Sequence, residues 1–203
     1  MMADHKGSPI LSFASPAEWE TWLTEHGSGS PGVWLKFAKR SSGVLSVGRA
    51  EAIEASLAHG WIDGQLDKLD ENFWLVRFTP RRRTSKWSRI NRDTAERLIA
   101  QGRMKGAGLE EVERAKRDGR WEAAYPPQSA AEVPPDLQAA LEASPEAKAF
   151  FASLTGANRY AVLYRIHDAR TAPTRAARIE RFVAMLGRGE TLHPPAKAKR
   201  SLS

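Results

Sequence analysis

Two stretches gather the side chains with which this chain could do chemistry: residues 60–65, GWIDGQ, and residues 77–92, RFTPRRRTSKWSRINR. Asp63 supplies a carboxylate and Trp61 and Trp87 supply flat apolar rings. Gln65, Thr79, Ser85 and Asn91 add neutral polar groups, and Arg77, Arg81 and Arg82 add forked cationic donors. A guanidinium offers paired N–H groups to a phosphate or carboxylate. An indole face can stack a ring or base, worth roughly 1–3 kcal/mol per base where this has been probed. An apolar platform with a few fixed polar groups is how small anionic or nucleotide-like ligands are held. The whole protein has a formal net charge of +7, and residues 77–92 alone hold seven cations and no acid.

Catalysis has weaker support. His59 stands four residues before Asp63, close enough for the carboxylate to orient an imidazole acting as general base. It also falls where a helix should end, and a cation there is favoured by the helix dipole in any case. Ser85 and Ser88 have no sequence-evident histidine and aspartate partners for a triad. The chain has no cysteine, which excludes thiol nucleophiles, disulfides and sulfur-ligated zinc, and its five histidines (5, 26, 59, 167 and 193) match no metal-binding spacing. No metal or cofactor is expected.

A plainer reading of the same residues stands beside the ligand site. Asp63 pairs with Arg77, the tryptophans are core, and the arginines meet acidic helices of the same chain in surface pairs worth a median of about 0–1 kcal/mol. Against it, concentrating seven cations in one short stretch brings mutual repulsion without an evident return in stability. Charge is uneven elsewhere too. Residues 1–76 hold six cations and ten anions, 93–158 hold eight and eleven, and 159–203 hold ten and three. A pI near 9.9 therefore keeps a nucleic-acid partner open, with the loop and the basic C-terminal helix acting together, although no helix-turn-helix, RNP or zinc-finger signature is present. Arg175, Arg178 and Arg181 recur at helical spacing, as a solvated face or a second binding face.

The elements that must position these residues can be read from local signals. Ser15-Pro16 with Glu18 opens a helix that ends near Gly27, and VWLKFAK at 33–39 alternates as a strand. Ser46 opens a second helix bearing Ala50, Ile53 and Leu57, with Gly60 as its left-handed cap. Strands starting at Trp61 and at Phe73 form an antiparallel hairpin. In a regular register Trp61, Asp63 and Gln65 share a face with Arg77 and Thr79. Ser85 caps a short turn carrying Trp87, the capping box Asp93-Thr94-Ala95-Glu96 starts another helix, and one more covers LEEVERAK, 109–116. Four prolines make 124–136 a linker, beyond which the pattern is helical to about residue 186.

The segments GVWLKFAKRSSG, GWIDGQ, RFTPRRRTSKWSRIN, DGRWEAAY and TRAARIERFVAMLGRGETLHP, taken together, resemble the YdeI/OmpD-associated family, also called bacteriocin-protection proteins, over about residues 11–194. The family usually carries a cysteine and an aromatic residue before GWIDG, where this chain has Ala58 and His59. The resemblance implies protection against bacteriocins or cationic antimicrobial peptides and no established reaction. It also implies association with an outer-membrane porin. The N-terminus lacks a basic, then apolar, export leader, and no apolar run approaches the ~20 residues of a membrane span, so a cytoplasmic protein is expected.

The expected architecture is α+β: residues 11–123 hold a small antiparallel sheet with helices, 124–136 a linker, 137–194 a helical region, and 195–203 a disordered tail. The expected role is that of a non-enzymatic binding protein for an anionic ligand. The alternatives are a nucleic-acid-binding protein and an enzyme acting on a phosphorylated or carboxylated small molecule.

Overall fold

A computed structural model describes residues 4–154 and 156–193, so the expected tail at 195–203 lies outside the described residues. The chain divides into two compact units, residues 1–124 and 125–203. The first has five strands, β1 (Asp4–His5), β2 (Ser8–Leu11), β3 (Val33–Ala38), β4 (Trp61–Lys68) and β5 (Phe73–Pro80), in the order β1-β2-β3-β5-β4. Its helices are α1 (Pro16–His26), α2 (Arg49–Ala58), α3 (Arg89–Ala100) and α4 (Gly106–Arg117). The second holds α5 (Pro135–Glu142), α6 (Pro145–Ser153), α7 (Gly156–His167) and α8 (Ala172–Gly187). The fold is α+β, and among the described residues no helix is long and apolar enough to cross a membrane.

Alternation in β3 turns Val33, Leu35 and Phe37 to one side, where they pack with Trp19 and Leu23 of α1 and Ala52 and Ala55 of α2. A second cluster joins Leu57 and Ala58 of α2 to Trp87, to Ala95 and Leu98 of α3, and to Val112 and Ala115 of α4. Helix starts follow local chemistry. Ser15 Oγ accepts the Glu18 N–H at α1, and Glu51 accepts the Gly48 N–H at α2. Ser46 does not open α2; its hydroxyl accepts the Ala38 N–H at the end of β3. Ser88 caps α3 by accepting the Asn91 N–H, so this helix begins four residues before the capping box at Asp93.

In the second unit, prolines occupy the first turns of α5, α6 and α8, and Leu137, Leu141, Phe151, Ile166, Ile179, Phe182 and Leu186 form the core. Arg175 reaches both carboxylate oxygens of Asp136, joining α8 to α5, while Arg178 donates to the Arg165 carbonyl.

The strands β1 and β2 carry no strong sequence signal. Lys6 and Gly7 both have positive φ, 51° and 75°, the two-residue hairpin turn that Asn-Gly usually makes. β2 then pairs parallel to β3, so the sheet is mixed where a purely antiparallel one was expected. The β1–β2 turn is also tied to β4: Asp67 Oδ2 lies 2.6 Å from Lys6 Nζ and 3.0 Å from His5 Nε2. Lys6 first, then His5, holds the Asp67 carboxyl at about 2, below the 3.8 of a free aspartate. A depressed carboxylate contributes stability above its unfolded value and loses that contribution as pH falls toward about 2. In an NMR acid titration Asp67 should protonate among the last carboxylates, and Lys6→Ala should raise its midpoint toward 3.8. An unmoved midpoint in that variant would mean that the turn does not hold this carboxylate.

Candidate functional site

The hairpin register decides which predicted site residues meet. Lys68 opposes Trp74, Asp67 opposes Leu75 and Leu66 opposes Val76, but beyond a shift between Asp63 and Leu66 the partners are Asp63 with Phe78, Ile62 with Thr79 and Trp61 with Pro80. Opposed residues share a face. Trp61 and Asp63 therefore lie with Phe78 on the face covered by α1 and α2, while Arg77, opposite Trp34, and Thr79 lie on the other. The expected pocket floor of Asp63, Gln65, Arg77 and Thr79 is not formed. Gly64 and Gln65 sit in the irregularity, and Gln65 is exposed. One extra residue on one strand turns every later side chain to the opposite face.

Each predicted residue then has its own surroundings. Arg49 Nη2 lies 2.9 Å from Asp63 Oδ2, so the carboxylate answers α2 and not Arg77. Arg77 and Thr79 flank Gly32, where an added Cβ would lie 2.9 Å from Arg77 Nη1 and 2.7 Å from Thr79 Cγ2, and burial pushes the Arg77 guanidinium down from its ordinary value. Arg81 is buried, its guanidinium carbon 3.6 Å from the centre of the Trp87 ring. Trp87 is core and packs edge-on against Trp121. Arg82 is exposed, and its N–H donates to Ser85 Oγ across a local turn whose Ser85 carbonyl accepts from Arg120 Nη1. Asn91 belongs to the first turn of α3. The cations of the basic stretch are thus dispersed between one sheet face, a loop and a helix.

Trp61 and Arg81 do meet at one concave place. An open cleft of about 440 Å³ is lined by Leu23, Thr24, Gly27 and Ser28 at the end of α1, by His59, Gly60 and Trp61, by Pro80 and Arg81, and by Lys105, Ala107, Glu110 and Glu111. Its walls are fixed by backbone contacts. Arg81 N–H donates to Gly60 O and Lys105 N–H to Ala58 O. Gly60 turns at φ 75°, and a Cβ there would stand 2.9 Å from Ala107 O. Trp61 is 2% exposed and meets the rings of Trp19 and Trp22 edge-on. His59 Nδ1 lies 2.9 Å from Ala55 O and Nε2 3.2 Å from Thr24 Oγ1, so this imidazole is oriented by α2 and α1 and not by Asp63.

The electrostatics of the cleft come from α4. No side chain caps this helix, Lys105 is its N-cap residue, and at Gly106 nothing lies within 4 Å of a would-be Cβ. An uncapped helix start presents N–H groups and the positive end of the helix dipole. The same cleft is lined by Arg81, whose guanidinium stacks on Trp87, and, one to two turns into α4, by Glu110 and Glu111. The cleft carries both signs of charge, segregated along one helix.

The division of the fold after residue 124 falls in the gap between two family matches. Residues 130–189 match the family described as bacteriocin-protection, YdeI or OmpD-associated. This stretch of the chain is similar to a YdeI/OmpD-associated domain. Residues 11–111 match a separate family, a domain of unknown function (DUF8412). No curated protein and no solved structure matches the chain. The YdeI/OmpD-associated match covers α5 to α8, whereas GWIDGQ and the whole lining of the cleft fall within the other match.

Lys105, Glu110, Glu111, Thr24 and Ser28 line the cleft and were not singled out from the sequence. A signal for the first of these existed: Lys105-Gly106-Ala107-Gly108 opens a helix with small residues and no capping side chain, the composition that lets a ligand approach a helix N-terminus. Among the described residues no group of three or more histidines and carboxylates could hold a metal ion.

Proposed function

We propose that this protein is a binding protein for a small ligand with an anionic group, held in the cleft between the end of α1, the His59–Trp61 turn and the start of α4. The observation that carries this reading is that Arg81, Lys105 and the uncapped first turn of α4 border one open cavity of about 440 Å³. That volume lies in the usual range for small-molecule sites, roughly 300–1,000 Å³. Dispersal of the cations of 77–92 favours a compact ligand over a nucleic acid, because a polyanion needs a continuous basic track. The enzyme reading required Asp63 or His59 in one pocket with Arg77 and Thr79, and the placement of Asp63 on the opposite face of the sheet from Arg77 and Thr79 speaks against it. We also propose that the protein acts in the cytoplasm and in protection against bacteriocins, a role supported by the description of the family matched at residues 130–189.

The test is calorimetric titration at low ionic strength with inorganic phosphate and butyrate. Both should bind, Lys105→Ala should weaken them about tenfold, the loss expected for one charge-assisted contact, and Arg82→Ala, outside the cleft, should change little. Absence of binding to the parent, or equal losses in the two variants, would overturn the proposal.

A further inference from the structure

An anion alone leaves part of the cleft unanswered. Glu111 is 8% exposed; its Oε1 is engaged by Arg114, and its Oε2 is buried without a hydrogen-bond partner. A desolvated carboxylate oxygen with nothing donating to it is costly, and few native structures tolerate one without a use for it. The Glu111 side chain packs over Gly60, its Cγ 3.5 Å from where a Cβ of residue 60 would stand, and both residues line the cleft. Side chains on a helix lean toward its N-terminus. Glu111, with its unanswered oxygen, and Lys105 at the open first turn thus border the same cleft.

We infer that the ligand is a zwitterion, a short ω-amino acid or a molecule with that unit: its anionic end sits at Lys105 and the first turn of α4, and its ammonium donates to Glu111 Oε2. This rests on the ligand reading above and adds the second charge to it. Glu111 stands five residues beyond Gly106, about 7–8 Å along the helix axis. The backward lean of its side chain shortens that span to the reach of a few methylenes. Glu110, next to it in the same cleft, reinforces the negative end.

The test compares butyrate with γ-aminobutyrate, which differ only by the ammonium, with glycine as a control too short to reach both ends. On the parent chain γ-aminobutyrate should bind about tenfold or more tightly than butyrate and than glycine, the ratio a single charge-assisted hydrogen bond supports. Glu111→Gln, its fold checked by tryptophan emission, should bring γ-aminobutyrate within about threefold of butyrate. Equal binding of the two by the parent, with butyrate still weakened by Lys105→Ala, would overturn the zwitterion and leave the anion site standing. If neither butyrate nor phosphate binds the parent, both readings fall together. The parent comparison needs no variant, so misfolding of Glu111→Gln would not rescue the inference.

Discussion

Replacing Trp19 by alanine should lower the stability of the first unit by about 3–5 kcal/mol, the range for deleting a large buried aromatic. Trp19 is fully buried, and its ring meets Phe13, Trp22, Trp61 and Phe78 with centroids 5.2–6.1 Å apart. Its indole N–H donates to Ala52 O and to Ser56 Oγ, so the side chain also holds α1 to α2. Alanine would open a cavity among four aromatic neighbours that cannot all collapse into it, and would remove a donor from the buried Ser56. The expected fall in melting temperature is roughly 10–25 °C for a unit of this size. Fluorescence can isolate it: all seven tryptophans lie in residues 1–124 and all three tyrosines in 125–203. Tryptophan emission should melt early while the tyrosine signal keeps its own course. Trp19→Phe, which keeps a ring but no donor, should lose clearly less. A Trp19→Ala protein melting within about 2 °C of the parent would mean that α1 contributes little to this core.

Elements that announce themselves locally were legible before any coordinates. Ser15-Pro16 pairs a capping residue and a fixed φ with an apolar stripe, and α1 starts there. Gly60 as a left-handed cap was legible for the same reason. The α+β class follows from these pieces. What escaped depends on partners distant in sequence. Extending the register of Lys68 with Trp74 without interruption would set Asp63 opposite Thr79 and Gln65 opposite Arg77, which is the face that periodicity predicts. A single bulge at Gly64–Gln65 cancels that arrangement, and no alternation rule reveals a bulge in advance beyond the weak hint of a glycine within a strand. The proposed site therefore lies at the hairpin's end and not on the hairpin face. Trp61 and Arg81 line it, Asp63 and Arg77 do not, and α4 supplies charges from some forty residues beyond Trp61.

Gly108→Ala tests whether the seating of α4 builds the cleft. Helix propensity alone predicts a gain of about 1 kcal/mol for alanine over glycine. Against that, a Cβ at residue 108 would fall on the Ala58 carbonyl, 2.6 Å from Met104 Sδ and 2.9 Å from Ala58 C. Met104 can adjust. The Ala58 carbonyl cannot easily do so, because it ends α2, accepts the Lys105 N–H and leads directly into His59, Gly60 and Trp61. Relief must come from displacing α4, at the ~1–3 kcal/mol typical of overpacking, and the clash with backbone should outweigh propensity. Gly106→Ala is the matched control: nothing lies within 4 Å of its Cβ, so it should be neutral or slightly stabilising. Two Gly→Ala changes two residues apart on one helix should thus differ in sign in tryptophan-monitored denaturation. The destabilised Gly108→Ala protein should also lose affinity for butyrate, because Lys105 and the first N–H groups move with the helix. A Gly108→Ala protein as stable as Gly106→Ala, and unchanged in anion binding, would dissociate the contact with Ala58 from the site.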